Sequence, residues 1–483
     1  MDALPSLADP DALTRRVATL IDAGRTGAAR PLLAAIRRMA PSSPELTRLS
    51  VRLAMRDGLP LEALDELDAA VAATPAEPAL RVLRAELRLQ TDEPAGAAAD
   101  AAEAVVLDPG NPIAKALLGM ALLGLGRTAD AAACLDDAVR MTPANPFFRQ
   151  GLADAREADG DGAGAEEALA TGIELCPGAV GLRNAAILLR VRRGDFAGAV
   201  AEAAAARHAG VVDACVLGLQ GHALSSLGRH EEAAAAYHEA LKLGPDDVYV
   251  RHMVASSGAL PSGDRAPEQY VRAVFDGYAE RFEAHLLALG YRVPGLIRAA
   301  LQRHLPAPRP DDVAPAVLDL GCGTGLLAVA GCDLPLGPWV GVDVSARMLA
   351  EAGAKQFYAE LHEADLMTTL STEERRWPVI LAGDVFCYFG ALDAALALVH
   401  DRLLPGGLFV FSLEEREATA GGPVGPDVGW RLGRQGRFAH ESGYVEIAAR
   451  SAGLEVRALD RETLRREAGA SVPGLLVVLA RPR

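Results

Sequence analysis

VLDLGCGTGLLAVAGC, residues 317–332, sets a short apolar run ahead of three glycines in five positions. Val317 to Leu320 reads as a fully buried parallel strand. Gly321, Gly323 and Gly325 supply unusual backbone angles and let a ligand approach the main chain closely. A helix follows from about Leu326. The pattern is GxGxG, and Leu326 stands where a GxGxxG loop has its third glycine. Asp319 lies inside the strand. A carboxylate beside the loop suits a ligand bearing an amino group better than a pyrophosphate, which needs positive ends only.

Downstream, WVGVDVS gives a second strand, Trp339 to Val344, carrying Asp343. That acid lies 22 residues after Gly321, placed to accept the hydroxyl protons of a ribose. HEADL offers Asp365 at the end of a third strand, where a carboxylate can accept adenine amino hydrogens while the backbone N–H of Leu366 meets a ring nitrogen. PVILAGDVFCYFG is a fourth strand with Asp384 and Tyr388, and LLPGGLFVFSLEE a tight turn and a fifth. VPGLLVVLARP reads as a last strand at the sheet edge.

With GCGTG, GVD and ADL in this order, residues from about 270 to 483 resemble a class I S-adenosylmethionine-dependent methyltransferase. They are similar to the ubiquinone- and biotin-pathway group, and more closely to the Williams-Beuren-region type. The resemblance implies a doubly wound Rossmann-like α/β sheet with S-adenosyl-L-methionine as cofactor. It also implies cofactor contacts from Asp319, Gly321, Cys322, Gly323, Gly325, Asp343, Val344, Asp365, Leu366 and Asp384. Cys322 reads as a small buried residue of the loop, not a nucleophile.

Ahead of this lies an internal repeat. Proline recurs at Pro41, Pro75, Pro109, Pro143, Pro177 and Pro245, at 34-residue intervals with Val211 in the vacant slot. Twelve positions before each mark stands alanine: Ala29, Ala63, Ala97, Ala131, Ala165, Ala199 and Ala233. Paired antiparallel helices need small residues where their backbones approach, and a proline ends the second helix. The clearest copy, Ile113 to Pro146, has Gly119 and Ala131 at the close approach and Leu118, Leu122 and Leu135 to fill it. The pattern resembles the tetratricopeptide repeat. It implies an all-α solenoid of about seven units over 8–249, whose usual aromatic positions are mostly replaced, Tyr237 excepted. A linker rich in Ser, Gly and Pro (250–269) and a helical cover of two short amphipathic helices (270–305) lead into the catalytic domain.

The formal net charge of -16 disfavours nucleic acid and anionic membrane as partners. No run reaches about eighteen uninterrupted apolar residues, so no membrane span is expected. The first residues lack the basic-then-apolar pattern of a signal peptide. Six scattered cysteines without a CxxC pair suggest reduced thiols in a cytoplasm. No cluster has metal-ligand spacing, so metal-independent chemistry is expected.

Methyl transfer needs positioning and, for a protonated acceptor, a base. The loops after the fourth and fifth strands offer Asp384, Tyr388, Glu414 and His440. His440 is preferred, because imidazole titrates near neutrality. Tyr278, Arg437 and Tyr444 are candidate substrate contacts; Arg437, His440 and Tyr444 lie in a segment resembling the closing part of the Williams-Beuren type. The reading is transfer of a methyl group to oxygen, nitrogen, sulfur or carboxylate of a small molecule, with the repeats binding a partner or a second copy. Its rivals are a protein or peptide methyltransferase whose substrate the repeats present, a repeat scaffold with a cofactor-sensing domain, and a nicotinamide oxidoreductase.

Overall fold

The alanines twelve residues before each proline slot are all buried, none more than 3% exposed, and each lies in the second helix of a pair. The computed structural model describes residues 10–39, 43–307, 313–416, 429–467 and 470–483. Pro41 and the first two residues of the expected 8–249 span lie outside them. The pairs are α1 (Pro10–Asp22) with α2 (Thr26–Met39), α3 (Pro44–Arg56) with α4 (Pro60–Ala73), α5 (Pro78–Gln90) with α6 (Pro94–Leu107) and α7 (Pro112–Gly124) with α8 (Thr128–Met141). They continue with α9 (Pro146–Ala158) and α10 (Gly162–Leu175), α11 (Val180–Arg192) and α12 (Phe196–His208), and α13 (Ala214–Ser226) and α14 (His230–Leu243). The chain divides into two compact units, residues 1–189 with 201–212 and residues 190–200 with 213–483.

The recurring proline falls two residues beyond the end of α4, α6, α8, α10 and α14. Its carbonyl accepts a hydrogen bond from an arginine six residues on, in the pairs Arg81–Pro75, Arg149–Pro143 and Arg251–Pro245 at 2.9–3.2 Å. Where Val211 replaces proline, α12 stops by another device. Gly210 takes φ +79°, and the N–H of Val211 donates to the Ala206 carbonyl, satisfying the helix end without a ring. At Gly119 a Cβ would lie 2.6 Å from Leu135 and 3.0 Å from the Ala131 carbonyl, so only glycine admits the partner helix there.

The second unit continues through α15 (Val248–Ser256) into α16 (Glu268–Asp276), α17 (Phe282–Ala288) and α18 (Val293–His304). The expected pair of cover helices is thus three, with Tyr278 in the break after α16. The 250–269 segment is itself tied down: Ala266 donates to the Tyr388 carbonyl, and Gly390 and Ala391 donate to that of Asp264.

The sheet follows. Strands β1 (Val317–Leu320), β2 (Trp339–Asp343), β3 (Tyr358–Glu363), β4 (Trp377–Ala382) and β5 (Leu403–Glu415) run parallel in the order β3-β2-β1-β4-β5. A short hairpin, β6 (Trp430–Leu432) and β7 (Phe438–His440), pairs with the tip of β5. The terminal hairpin is β8 (Glu455–Glu467) and β9 (Ala470–Ala480). The last strand is not the edge strand: β9 lies antiparallel between β5 and β8. Its apolar run, Leu475 to Leu479, is buried on both faces, which an edge position would leave half covered.

Side chains alternate across the strands. Leu318, Leu320, Ile380 and Phe409 face α21 (Leu366–Thr372), α22 (Asp393–Arg402) and α23 (Ser442–Ser451). Val317, Val379 and Val410 face α18 and α19 (Leu326–Ala330). The remaining helix, α20 (Ala346–Ala354), follows β2. The chain order reverses between β1 and β4, where open α/β sheets leave a crevice at their carboxyl ends. Among the described residues, no helix is long and apolar enough to cross a membrane.

Candidate functional site

A cavity of about 260 Å³ occupies that crevice. Its floor is the loops after β1 and β4. A Cβ on Gly321, at φ +65°, would sit 2.3 Å from Val385, so the two loops close on each other only through glycine. Gly323 is open on its cavity side, where a Cβ would meet only Phe282, at 3.9 Å. Asp343 ends β2 with Oδ2 accepting the Gly323 N–H (2.8 Å) and Oδ1 that of Ser345 (2.9 Å). Burial nevertheless raises its pKa above the ordinary value. Each oxygen keeps a lone pair for a ligand hydroxyl.

Asp365 falls two residues past β3 and caps α21, Oδ1 accepting from Met367 and Thr368. Arg265 also donates to it, at 2.9 and 3.1 Å. Val344, Ala364 and Leu366 complete an apolar slot beside the two acids. Acids at successive strand tips, an open glycine loop and a flat apolar slot fit an adenosyl group carrying an amino acid. Gly321, Gly323, Asp343, Val344, Asp365 and Leu366 would hold it.

Three predicted cofactor residues stand behind this wall. Asp319 is fully buried, accepts the Tyr358 hydroxyl at 2.7 Å, and leaves Oδ1 unpartnered. Burial pushes its pKa up to about 7. Cys322 lies under Gly341, where a Cβ would be 2.8 Å from its sulfur, and burial raises its thiol well above the ordinary value. Gly325, at φ +88°, caps α19 against the Tyr358 ring.

The other end of the cavity is aromatic above and ionic below. Phe275, Tyr278, Phe282 and His285 form its cover, with Tyr278 edge-on to both Phe282 and His285. Tyr291 and Tyr388 also line it. Asp384 follows β4 in the left-handed region, φ +56°. Aspartate reaches that region more readily than most residues, though at some strain. Ser412 holds it twice: its Oγ accepts the Asp384 N–H (2.8 Å) and donates to Oδ1 (2.9 Å). Arg465, 5% exposed, donates to Oδ2 at 2.9 Å, to Glu467 at 2.8 Å and to Glu414. Arg437 donates to Glu414 at 2.6 Å and Glu467 at 2.7 Å.

Three carboxylates thus face two guanidiniums. Burial raises the Asp384 pKa despite Arg465. Burial also acts to raise that of Glu414, but the two arginines more than offset it, and it falls below the ordinary value.

Among the predicted catalytic and substrate residues, Asp384, Tyr388, Tyr278 and Arg437 line the cavity, and Glu414 stands just beneath it among the arginines. His440 and Tyr444 do not line it. His440 is fully buried in β7, Nε2 hydrogen-bonded to the Gly390 carbonyl (3.0 Å), and burial lowers its pKa to about 4. A histidine sealed in the sheet cannot take a proton from a substrate in the cavity, so the preference for it as base is corrected. Tyr444 stacks on His440, accepts the Leu392 N–H and donates to Asp393, joining α22 to α23.

Arg465, Glu467, Arg265, Tyr291 and His285 are wall residues that sequence reasoning missed. The signal for the first two was the i, i+2 spacing of Arg465 and Glu467, which in an extended chain puts both on one face.

Residues 317–407 match the family model of a methyltransferase domain. Residues 14–78, 48–112, 116–180 and 184–248 match that of the tetratricopeptide repeat. The chain is 31% identical over 151 residues to the biotin biosynthesis bifunctional protein BioCD of Bordetella avium, covering 29% of each chain. It is 29% identical over 164 residues to the demethylmenaquinone methyltransferase of Symbiobacterium thermophilum, covering 32% of this chain and 62% of that one. It is 35% identical over 99 residues to the ribosomal protein L11 methyltransferase of Xanthomonas campestris, covering 20% and 31%. The chain therefore spans less than two thirds of each of these relatives. It joins tetratricopeptide repeats to a methyltransferase domain.

Proposed function

We propose that the chain methylates a small, largely apolar molecule through a proton-bearing oxygen or nitrogen, with Asp384 as the base. One observation carries this reading: a single cavity runs from the glycine loop to Asp384 beneath an aromatic cover. S-adenosylmethionine supplies, when bound, an electrophilic methyl group and a thioether that leaves without needing an acid. The protein supplies position and charge. Gly321, Gly323, Asp343 and Asp365 hold the donor end. Tyr278, Phe282 and Tyr388 stack on the acceptor and exclude water.

Asp384 takes the acceptor proton at its carboxylate. Its raised pKa brings it nearer the working pH of a general base, and Arg465 and Ser412 keep it aimed. The surplus carboxylate favours a neutral or cationic acceptor over an anionic one. All six cysteines are free thiols, in keeping with a reducing, cytoplasmic setting.

The test is incubation of the full chain with methyl-labelled S-adenosylmethionine and size-fractionated lysate. Label in small metabolites, lost in Asp384→Asn while S-adenosylhomocysteine binding persists, is the expected result. Label in protein would favour a substrate presented by the repeats instead, the reading that the repeats themselves support.

A further inference from the structure

The acceptor end draws one of its two cations from an unusual place. Arg437 stands immediately before β7 and closes a tight turn, in which the Gly433 N–H donates to the Arg437 carbonyl at 2.7 Å and the Gly436 N–H to that of Gly433. With three residues in each strand, this hairpin has little to stiffen it from within. What grips it is α15, the helix following the seventh repeat pair and part of the same compact unit.

His252 of α15, 6% exposed, has Nε2 2.9 Å from the Gly436 carbonyl. Its ring packs on Tyr270, centroids 4.2 Å apart, and on Phe438 at 6.4 Å. Ser256 donates to the Arg434 carbonyl at 3.4 Å. Gly436 stands at φ +77°, where a Cβ would lie 2.4 Å from the Tyr270 hydroxyl and 3.2 Å from the Met253 sulfur. The turn is therefore clamped from the repeat side at the residue before Arg437.

We propose that His252 is a positioning residue for the acceptor site: by holding the Gly436 carbonyl it sets Arg437 between Glu414 and Glu467 on the cavity wall. The proposal rests on the reading of this end of the cavity as the acceptor site. Arg437 spans β5 and β8, and a guanidinium bridging two carboxylates is sensitive to displacement because its fork is rigid. A turn released from α15 lets Arg437 swing, leaves Glu467 with Arg465 alone and changes the charge that faces the acceptor. The end of the repeats is thus a wall of the catalytic site at one remove, and repeats and acceptor handling are coupled through one backbone carbonyl.

Two variants of the full chain test this. His252→Phe keeps the ring packing and removes the donor; His252→Gln keeps an N–H donor. Three readouts are compared: calorimetric affinity for S-adenosylhomocysteine, melting temperature, and transfer of labelled methyl to the small-molecule fraction of lysate.

His252→Phe is expected to lower transfer by about tenfold or more, because small misplacements at a reacting centre are costly. Its cofactor-product affinity should stay within about twofold, since the sites are well separated. His252→Gln should recover most of the transfer. Wild-type transfer by His252→Phe overturns the proposal, as does parallel loss of affinity, melting temperature and transfer, which marks a purely structural role. A wild-type chain that binds S-adenosylhomocysteine and labels nothing in any fraction overturns the functional reading and this proposal together.

Discussion

At the donor end of the cavity the polar groups and the glycine loop follow parallel strands directly: Gly321 and Gly323 after β1, Asp343 at the tip of β2, Asp365 just past β3. At the acceptor end the wall comes from α16 and α17, the loop after β4, the β6–β7 turn and the far end of β8. The acids of the first are held mainly by backbone N–H groups of the loops and helix start beside them, the second by an ion cluster among distant segments. The difference teaches that one end is specified locally and tolerates change elsewhere, whereas the other depends on several elements arriving together.

The strongest way to break the comparison is Arg465→Met. It leaves Asp384 and Glu414 buried with half their countercharge removed, and stripping one partner from a buried pair costs about 3–5 kcal/mol. Urea unfolding should show a loss of that order. A chain still folded under native conditions should bind S-adenosylhomocysteine but fail to transfer label. Asp343→Ala acts on the other end. Losing charged acceptors toward the ribose should weaken S-adenosylhomocysteine by roughly 10- to 100-fold, on the scale of about 1.5–3 kcal/mol for charge-assisted hydrogen bonds. Unfolding should show a smaller loss, about 1–3 kcal/mol from the Gly323 and Ser345 N–H groups left without an acceptor, while the cofactor-product affinity falls, the reverse of the pattern expected for Arg465→Met.

A pH series sharpens the donor side. The Asp319 pKa is raised from an ordinary carboxylate value to about 7 by burial. The folded state therefore holds a proton that the unfolded chain gives up earlier. Stability from this group is full below the unfolded value and is lost as pH rises toward 7. Asp319→Asn should gain on wild type over that window, by up to about 4 kcal/mol at pH 8, in denaturation curves at pH 4, 6 and 8. The smallest effect is expected at His440. His440→Gln preserves a donor to the Gly390 carbonyl and should leave transfer within about twofold of wild type. A large fall in transfer with an unchanged melting temperature would return His440 to the chemistry.

The start of β1 and of α19 was legible because strand, glycine loop and helix are consecutive in the chain. The repeats were legible because period and burial coincide at Ala29 through Ala233. A further sign went unread: the left-handed residue closing the first helix of each pair recurs at 24, 58, 92, 126, 160, 194 and 228, glycine everywhere but Asp92. His440 misled because residue type and order say nothing of burial, and β7 places its ring inside the sheet. The last strand was put at the edge because β8, EVRALDRETLRRE, is too charged to announce itself as its neighbour.

The amino-acid sequence alone determined the helix pairs, the parallel sheet and the placing of Gly321, Asp343 and Asp365 after successive strands, since each rests on contacts within a turn, a period or a strand–loop–helix run. Only the tertiary structure decided the ionic end of the cavity. Tyr291, Asp384, Arg437 and Arg465 are brought together there from positions 291 to 465 of the chain. Whether a charged side chain there is a surface group or a buried partner depends on the energy of desolvation, which no short stretch of sequence encodes.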